Sequence, residues 1–256
     1  MSGKLRTLLK AVLLAGIGAL AVGCANHRQN VVQDAAPTVL YQRGSNMMKQ
    51  ANYPGAIKTY LQLESRYPFS PETRQAQLDL IYAYYMSNQP DSATDAAEQF
   101  ERENPTHPRV DYALYMKGLV YFDQAPNVLE KLFHIDLSAR PPKDSLKAFS
   151  TFQELIRRFP SSQYVADAQK RMVFLRNRLA AYENHVAAYY MERGAYVAAA
   201  NRAKYAVEHY PGAPQLQQSL QMMVQAYRKL GMSELAADAQ RVYQDNYGEH
   251  PATASN

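Results

Sequence analysis

Residue types that could carry chemistry are few in this chain and lie far apart. The six histidines are His27, His107, His134, His185, His209 and His250, and no two have the HExxH spacing that sets a pair of imidazoles on one helix face for zinc. Cys24 is the only cysteine, so an internal disulfide framework and a Cys/His metal cluster are both excluded. There is no Gly-rich phosphate loop and no GxSxG nucleophile elbow. The carboxylates are scattered over predicted helix faces, where solvated i,i+4 pairing is the expected role. The sequence therefore predicts no enzyme, no metal and no bound cofactor. Two features remain: one thiol, and 20 tyrosines in a chain without tryptophan.

The thiol has a context. Lys4, Arg6 and Lys10 form a basic segment ahead of an apolar run of 12 residues, Ala11 to Val22, which is too short to span a bilayer as a helix. The run ends in Leu20-Ala21-Val22-Gly23-Cys24, which is similar to the lipobox of bacterial lipoproteins, with Ala21 at the position usually held by a branched residue. On that reading residues 1–23 are removed. Cys24 then becomes the first residue and carries an N-acyl chain and an S-diacylglycerol, the only group attached to the chain. The alternative is an ordinary secretory signal with an incidental cysteine. Ala25, where an aspartate is absent, favours the outer membrane by analogy with lipoproteins. Residues 24–37 read as a polar tether. Removal of the signal leaves 25 basic and 23 acidic residues, so the formal charge falls from +5 to +2. That balance argues against nucleic acid as a partner.

The tyrosines belong to a periodic frame. In AIKTYLQLESRYP an alanine, Ala56, stands twelve residues before a terminator, Pro68. The interval recurs from Ala93 to Pro105, Ala148 to Pro160, Ala199 to Pro211 and Ala236 to Gly248. A small residue lets two helices approach closely, and proline stops the helix because its ring clashes with the preceding turn. This is the pattern of the 34-residue tetratricopeptide repeat. The fold class expected is all-α: a superhelix of five helix–turn–helix repeats, divided into residues 38–160 (repeats 1–3) and 161–256 (repeats 4–5).

Successive terminators are 37, 55, 51 and 37 residues apart, so two intervals contain insertions. Residues 125–142 (APNVLEKLFHIDLSARPP) account for the first, and Leu129, Leu132, Phe133 and Ile135 give that loop an apolar patch for a partner or for packing across the solenoid. Residues 162–193 contain neither Gly nor Pro and predict one helix of 32 residues that joins the two halves.

First helices line the concave face of such solenoids, where peptides bind. In repeats 1–3 the inward positions include Tyr41, Leu78, Tyr82, Tyr85, Tyr112, Tyr115 and Phe122, an aromatic groove suited to clients. In repeats 4–5 they are polar, Asn184, Gln218, Gln221, Gln225 and Arg228 among them. Tyr84, Tyr190 and Tyr227 fall at the position that packs between helices. For any single groove tyrosine, filling of the narrow interior is the competing role.

Three stretches, RYPFSPETRQAQLDLIYAYY (66–85), NPTHPRVDYALYMKGL (104–119) and RLAAYENHVAAYYMERGAYVAAANR (178–202), resemble the BamD family of outer-membrane protein assembly lipoproteins, ComL in older usage. The resemblance covers about residues 38–248 and includes both insertions. It implies a subunit of the β-barrel assembly machine, lipid-anchored at the periplasmic face of the outer membrane. Implied partners are the periplasmic POTRA domains of the central barrel subunit, accessory lipoproteins, and the aromatic-ended C-termini of unfolded barrel proteins in the N-terminal groove. Arg193, Arg202 and Arg228 are the candidates for docking an acidic partner. A pilotin for secretin assembly and a peptidoglycan-associated lipoprotein are the rival readings.

Overall fold

The computed structural model describes residues 35–124 and 142–248. The expected export signal, Cys24, most of the expected tether, residues 125–141 of the first insertion and residues 249–256 lie outside the described residues. The helices are α1 (Pro37–Lys49), α2 (Tyr53–Arg66), α3 (Pro71–Met86), α4 (Pro90–Glu103), α5 (Val110–Gln124), α6 (Lys143–Arg158), α7 (Val165–Glu192), α8 (Tyr196–His209), α9 (Leu216–Lys229) and α10 (Ser233–Tyr247). They pair as five hairpins, with each second helix packed on its own first helix and on the first helix of the next repeat. First helices also touch one another, α1 with α3, α3 with α5 and α7 with α9, and so form the inner curve of the solenoid.

The alanine-to-terminator frame explains this stacking. Ala56, Ala93, Ala148, Ala199 and Ala236 are all at most 5 % exposed, at the seams where second helices approach their neighbours. The four residues that precede a terminal proline, Tyr67, Asn104, Phe159 and Tyr210, share one conformation, with φ between −125° and −132° and ψ between 53° and 62°. Proline bars the α region to its predecessor, so each chain leaves its helix in the same direction. The hairpin turns repeat as well: Ala51, Asn88, Gly194 and Gly231 all sit at positive φ, 55°, 55°, 72° and 70°. Two glycines are required by close approach. A β-carbon on Gly44 would stand 2.3 Å from the ring of Tyr60, and one on Gly118 would stand 2.4 Å from the ring of Phe152.

The long helix is shorter than the sequence predicts. It spans 28 residues, because Ser162 diverts the chain ahead of it. The Ser162 hydroxyl donates to Asp111 (2.6 Å) and accepts the N–H of Tyr164 (3.3 Å), a local pairing that competes with the helix. Helix α7 does belong to both halves. Ala168 and Leu175 pack into the core around Phe100, Val110 and Phe152, whereas Leu179 and Ala180 pack with Tyr210 and Leu216. The expected boundary at residue 160 therefore falls just ahead of a shared helix. Large side chains fill the N-terminal cores, Tyr60, Phe100 and Phe152 foremost, while the last repeats close mainly on alanines 187, 199, 200, 203 and 226. Among the described residues no helix is long and apolar enough to cross a membrane.

Candidate functional site

The inner face of repeats 1–3 is built from α1, α3, α5 and the start of α7. Tyr41, Tyr82, Tyr85, Tyr112, Tyr115 and Phe122 are all half-buried there. Leu78 is not among them. At 2 % exposure it is sealed in the core with Ile81 and Phe100, so it turns away from the groove. The rings form a near-continuous series. Tyr53 meets Tyr82 edge-on at 6.3 Å, Tyr82 lies 6.5 Å from Tyr85, and Tyr115 stacks on Tyr164 at 4.5 Å and 16°.

The hydroxyls have a second role that the spacing did not reveal. Tyr41 on α1 donates to Asp79 on α3 (3.1 Å), Tyr85 on α3 donates to Asp123 on α5, and Tyr115 on α5 donates to Asp167 on α7 (2.8 Å). Every joint between successive first helices in this half thus carries one tyrosine–aspartate bond. Asp79 accepts a further O–H from Tyr60 (3.1 Å), and Asp167 also accepts Nε of Arg171 (2.6 Å). These aspartates were expected to be solvated surface charges in i,i+4 pairs, a form kept by the Asp167–Arg171 ion pair and by the bond from Gln75 to Asp79 (3.1 Å). The Tyr-to-Asp offset of 38 residues, present twice, was the available signal.

Burial and the neighbouring aspartates raise the phenols. Tyr41, Tyr85 and Tyr115 are each pushed up to about 12, first by burial and then by the paired carboxylate. Tyr60 and Tyr112 are raised further, chiefly by burial. Burial also raises Asp79, against the lowering effect of its donors Gln75, Tyr41 and Tyr60. Asp167 behaves oppositely: burial would raise it, but the bonds from Arg171 and Tyr115 outweigh that and hold it below the usual carboxylate range.

Two guanidiniums lie on aromatic faces of this groove. Arg171 sits 4.8 Å over Phe122 and is tied to Asp167. Arg109 sits 4.9 Å over Tyr112, and its Nη2 donates to the neutral Tyr164 hydroxyl (3.1 Å). Sequence reasoning selected none of Asp79, Asp123, Asp167, Arg109, Arg171 or Tyr164.

In the C-terminal half the docking candidates are in different situations. Arg193, at the end of α7, is exposed and lies 4.5 Å over Tyr189. Arg228 is exposed in the last turn of α9. Arg202 is occupied: its Nη1 is 3.1 Å from the Glu183 carboxylate, whose side chain is 8 % exposed. Asn184, expected in the polar groove, is buried and bonds to Ser219 Oγ (2.6 Å) and to the Gln215 carbonyl (2.8 Å). Tyr84, Tyr190 and Tyr227 pack partly buried against core clusters, as the repeat frame requires.

Five helix pairs with a tyrosine-lined inner groove define a tetratricopeptide-repeat scaffold. Among known proteins, the outer-membrane lipoprotein family YfiO matches residues 33–242. The outer membrane protein assembly factor BamD of Neisseria gonorrhoeae is 43% identical over 247 residues, covering 96% of this chain and 92% of that protein. The BamD of Vibrio cholerae is 37% identical, covering 93% and 99%. Among solved structures, a tetratricopeptide repeat protein from Parabacteroides merdae shares 16% identity at a TM-score of 0.42, covering 88% of this chain and 70% of that one. The chain belongs to the BamD family of outer-membrane lipoproteins.

Proposed function

We propose that this protein is a scaffold subunit of the machinery that assembles β-barrel proteins into the outer membrane, anchored at the periplasmic face by lipid on Cys24. Its inner groove in repeats 1–3 receives the aromatic-ended C-termini of unfolded barrel proteins. Its C-terminal repeats dock the POTRA domains of the central barrel subunit, and accessory lipoproteins bind alongside. The role is one of binding and positioning, without catalysis.

The observation that carries this reading is the aromatic row itself, set on the concave face of a chain whose assembly-factor relatives align over nearly its full length. Tyrosine supplies a broad apolar face at low entropy cost, which suits an extended aromatic peptide. For docking, Arg193 and Arg228 are the stronger candidates, because Arg202 already neutralises a buried acid.

The experiment is a pull-down on the full-length chain, tagged at its C-terminus and extracted in mild detergent. Stoichiometric recovery of an outer-membrane barrel protein with periplasmic repeat domains is expected. Recovery of a secretin instead would overturn the assignment.

A further inference from the structure

Phe69 departs from the repeat frame. The residue after each terminal proline is Phe69, Thr106, Ser161 or Gly212, so three of the four are small or polar. The turn between α2 and α3 is held without the Phe69 ring. The Ser70 N–H donates to the Tyr67 carbonyl (3.0 Å), and the Ser70 hydroxyl caps α3 by accepting the N–H of Thr73 (3.1 Å). Phe69 is 90 % exposed, the most exposed large apolar side chain among the described residues. The fold does not use it.

Beside it a hollow of about 560 Å³ opens on the outer side of the solenoid, walled by Glu64 of α2, Gln77 of α3, and Gln99 and Glu103 of α4. A second hollow of about 210 Å³ shares Glu64, Gln77 and Gln99 with the first and continues it past Leu61, Leu80 and Tyr84. Helical spacing puts Gln77, Leu80 and Tyr84 on the opposite side of α3 from Asp79 and Tyr82, so this outer groove is separate from the inner aromatic one.

Two carboxylates meet in the groove without a cation. Gln77 Nε2 donates to Glu64 (2.8 Å) and to Glu103 (2.7 Å), and Gln99 Nε2 donates to the same two acids (3.3 and 2.9 Å). Gln77 is buried, and its carbonyl oxygen accepts Asn104 Nδ2 (3.3 Å). Neutral amides thus hold together two like charges, one from each second helix. Among the described residues no ion pair neutralises either acid. The lining carries three acids, Glu64, Asp95 and Glu103, against one base, Arg74. Arg66 and Arg102, in the last turns of α2 and α4, line neither hollow.

We infer that this outer groove docks an extended segment of a partner protein, one that presents an arginine to Glu64 and Glu103 and an apolar side chain to Phe69. A guanidinium fork suits two carboxylates already fixed in place, because little side-chain freedom remains to be lost on binding. An exposed ring at the mouth of a hollow supplies the apolar anchor. Arg74, in the same hollow as Phe69, disfavours a second basic group there, so the apolar residue takes that end. The surface faces away from the inner groove, and the inference does not depend on client binding.

The test uses the full-length chain in detergent and two fluorescent, end-capped heptapeptides, Gly-Leu-Arg-Leu-Arg-Leu-Gly and the same sequence with glutamate for arginine. Anisotropy at low salt should show the basic peptide binding about tenfold more tightly than the acidic one, with the preference shrinking as salt rises. Phe69→Ser and the double variant Glu64→Gln/Glu103→Gln should each weaken the basic peptide about tenfold. Phe69→Ser disturbs no core contact, and glutamine keeps an acceptor for both amides, so melting curves should stay close to that of the parent. A photoreactive leucine at the central position should crosslink to α2 or α4. Equal binding of the two peptides would overturn the inference, as would a preference that survives either variant. Crosslinks confined to the inner face around Tyr82 and Tyr115, or failure of the parent protein to bind either peptide, would also overturn it.

Discussion

Tyr115 separates the two roles of the groove aromatics, because its ring and its hydroxyl make different contacts. The hydroxyl bonds to Asp167 at 2.8 Å, while the ring stacks on Tyr164 at 4.5 Å and leans on Phe152 at 6.2 Å. Tyr115→Phe removes only the hydroxyl. A hydrogen bond to a charged acceptor contributes about 1.5–3 kcal/mol, but the Asp167 side chain is 44 % exposed and keeps its bond from Arg171, so the loss should be about 0.5–1 kcal/mol. Tyr115→Ala also removes a half-buried ring, and the total should reach about 3 kcal/mol. Urea unfolding followed by circular dichroism measures both variants. With the ring packed on Tyr164 and Phe152, Tyr115→Ala should lower the melting temperature as well as remove groove surface. Tyr115→Phe is the usable variant, and it should keep groove peptides bound within about threefold, well below the tenfold change of 1.4 kcal/mol. If Tyr115→Ala were no more destabilising than Tyr115→Phe, the ring would not be part of the core, and the argument that one residue serves both roles would fail.

Other consequences are as direct. Arg202→Glu should cost about 1–2 kcal/mol, less than the 3–5 for a fully buried pair because Arg202 is 45 % exposed, and adding Glu183→Gln should recover most of it in urea melts. A loosened complex from Arg202→Glu alone would therefore not identify an interface. Gly118→Ala drives a methyl against the fully buried Phe152 ring and should cost about 1–3 kcal/mol, read from the denaturation midpoint. Asp79→Asn keeps an acceptor for Tyr41 and Tyr60 while removing a charge whose pKa burial raises, so stability at pH 7 should hold or rise; a large loss would mean the charge itself holds the joint. Tyr41, Tyr85 and Tyr115 keep their protons to about pH 12 when folded and to about 10 when unfolded, so their contribution is intact below pH 10 and is lost as pH rises toward 12. A urea midpoint flat across that window would contradict the tyrosine–aspartate joints.

The repeats were legible because their signals are local. An alanine at a fixed offset from a helix-stopping proline determines a seam and an exit direction, and all five alanines are buried where that logic puts them. Helix α7 was overestimated because the absence of Gly and Pro bounds a helix without starting it; the start depends on Ser162 finding Asp111, 51 residues away. Leu78 was misplaced for a related reason. An inward helix position one turn from Tyr82 points to the groove or to the core according to the rotation of α3 against α4, and that rotation is set by Phe100. The aspartates were missed because a single carboxylate on a helix looks solvated until its partner on another helix is known.

Tyrosine occupies the inner face, where phenylalanine would supply the same apolar area, because the solenoid needs both ends of the side chain. The ring forms groove surface, and the hydroxyl reaches across to the next first helix, so groove chemistry and superhelical curvature are set by the same residues. Phe122, which lacks the hydroxyl, is held instead by the Arg171 guanidinium and by Phe174 at 5.8 Å. In the C-terminal half the joint between first helices α7 and α9 is made differently, by the buried bonds of Asn184 with Ser219, Gln215 and Gln218. Those side chains are consumed by the joint and leave no aromatic face behind. In the proposed function, that surface is met through rim charges such as Arg193 and Arg228, and an extended aromatic peptide through the rings of repeats 1–3. The two halves of the solenoid thus differ in how their first helices are joined, and α7 packs into the cores of both.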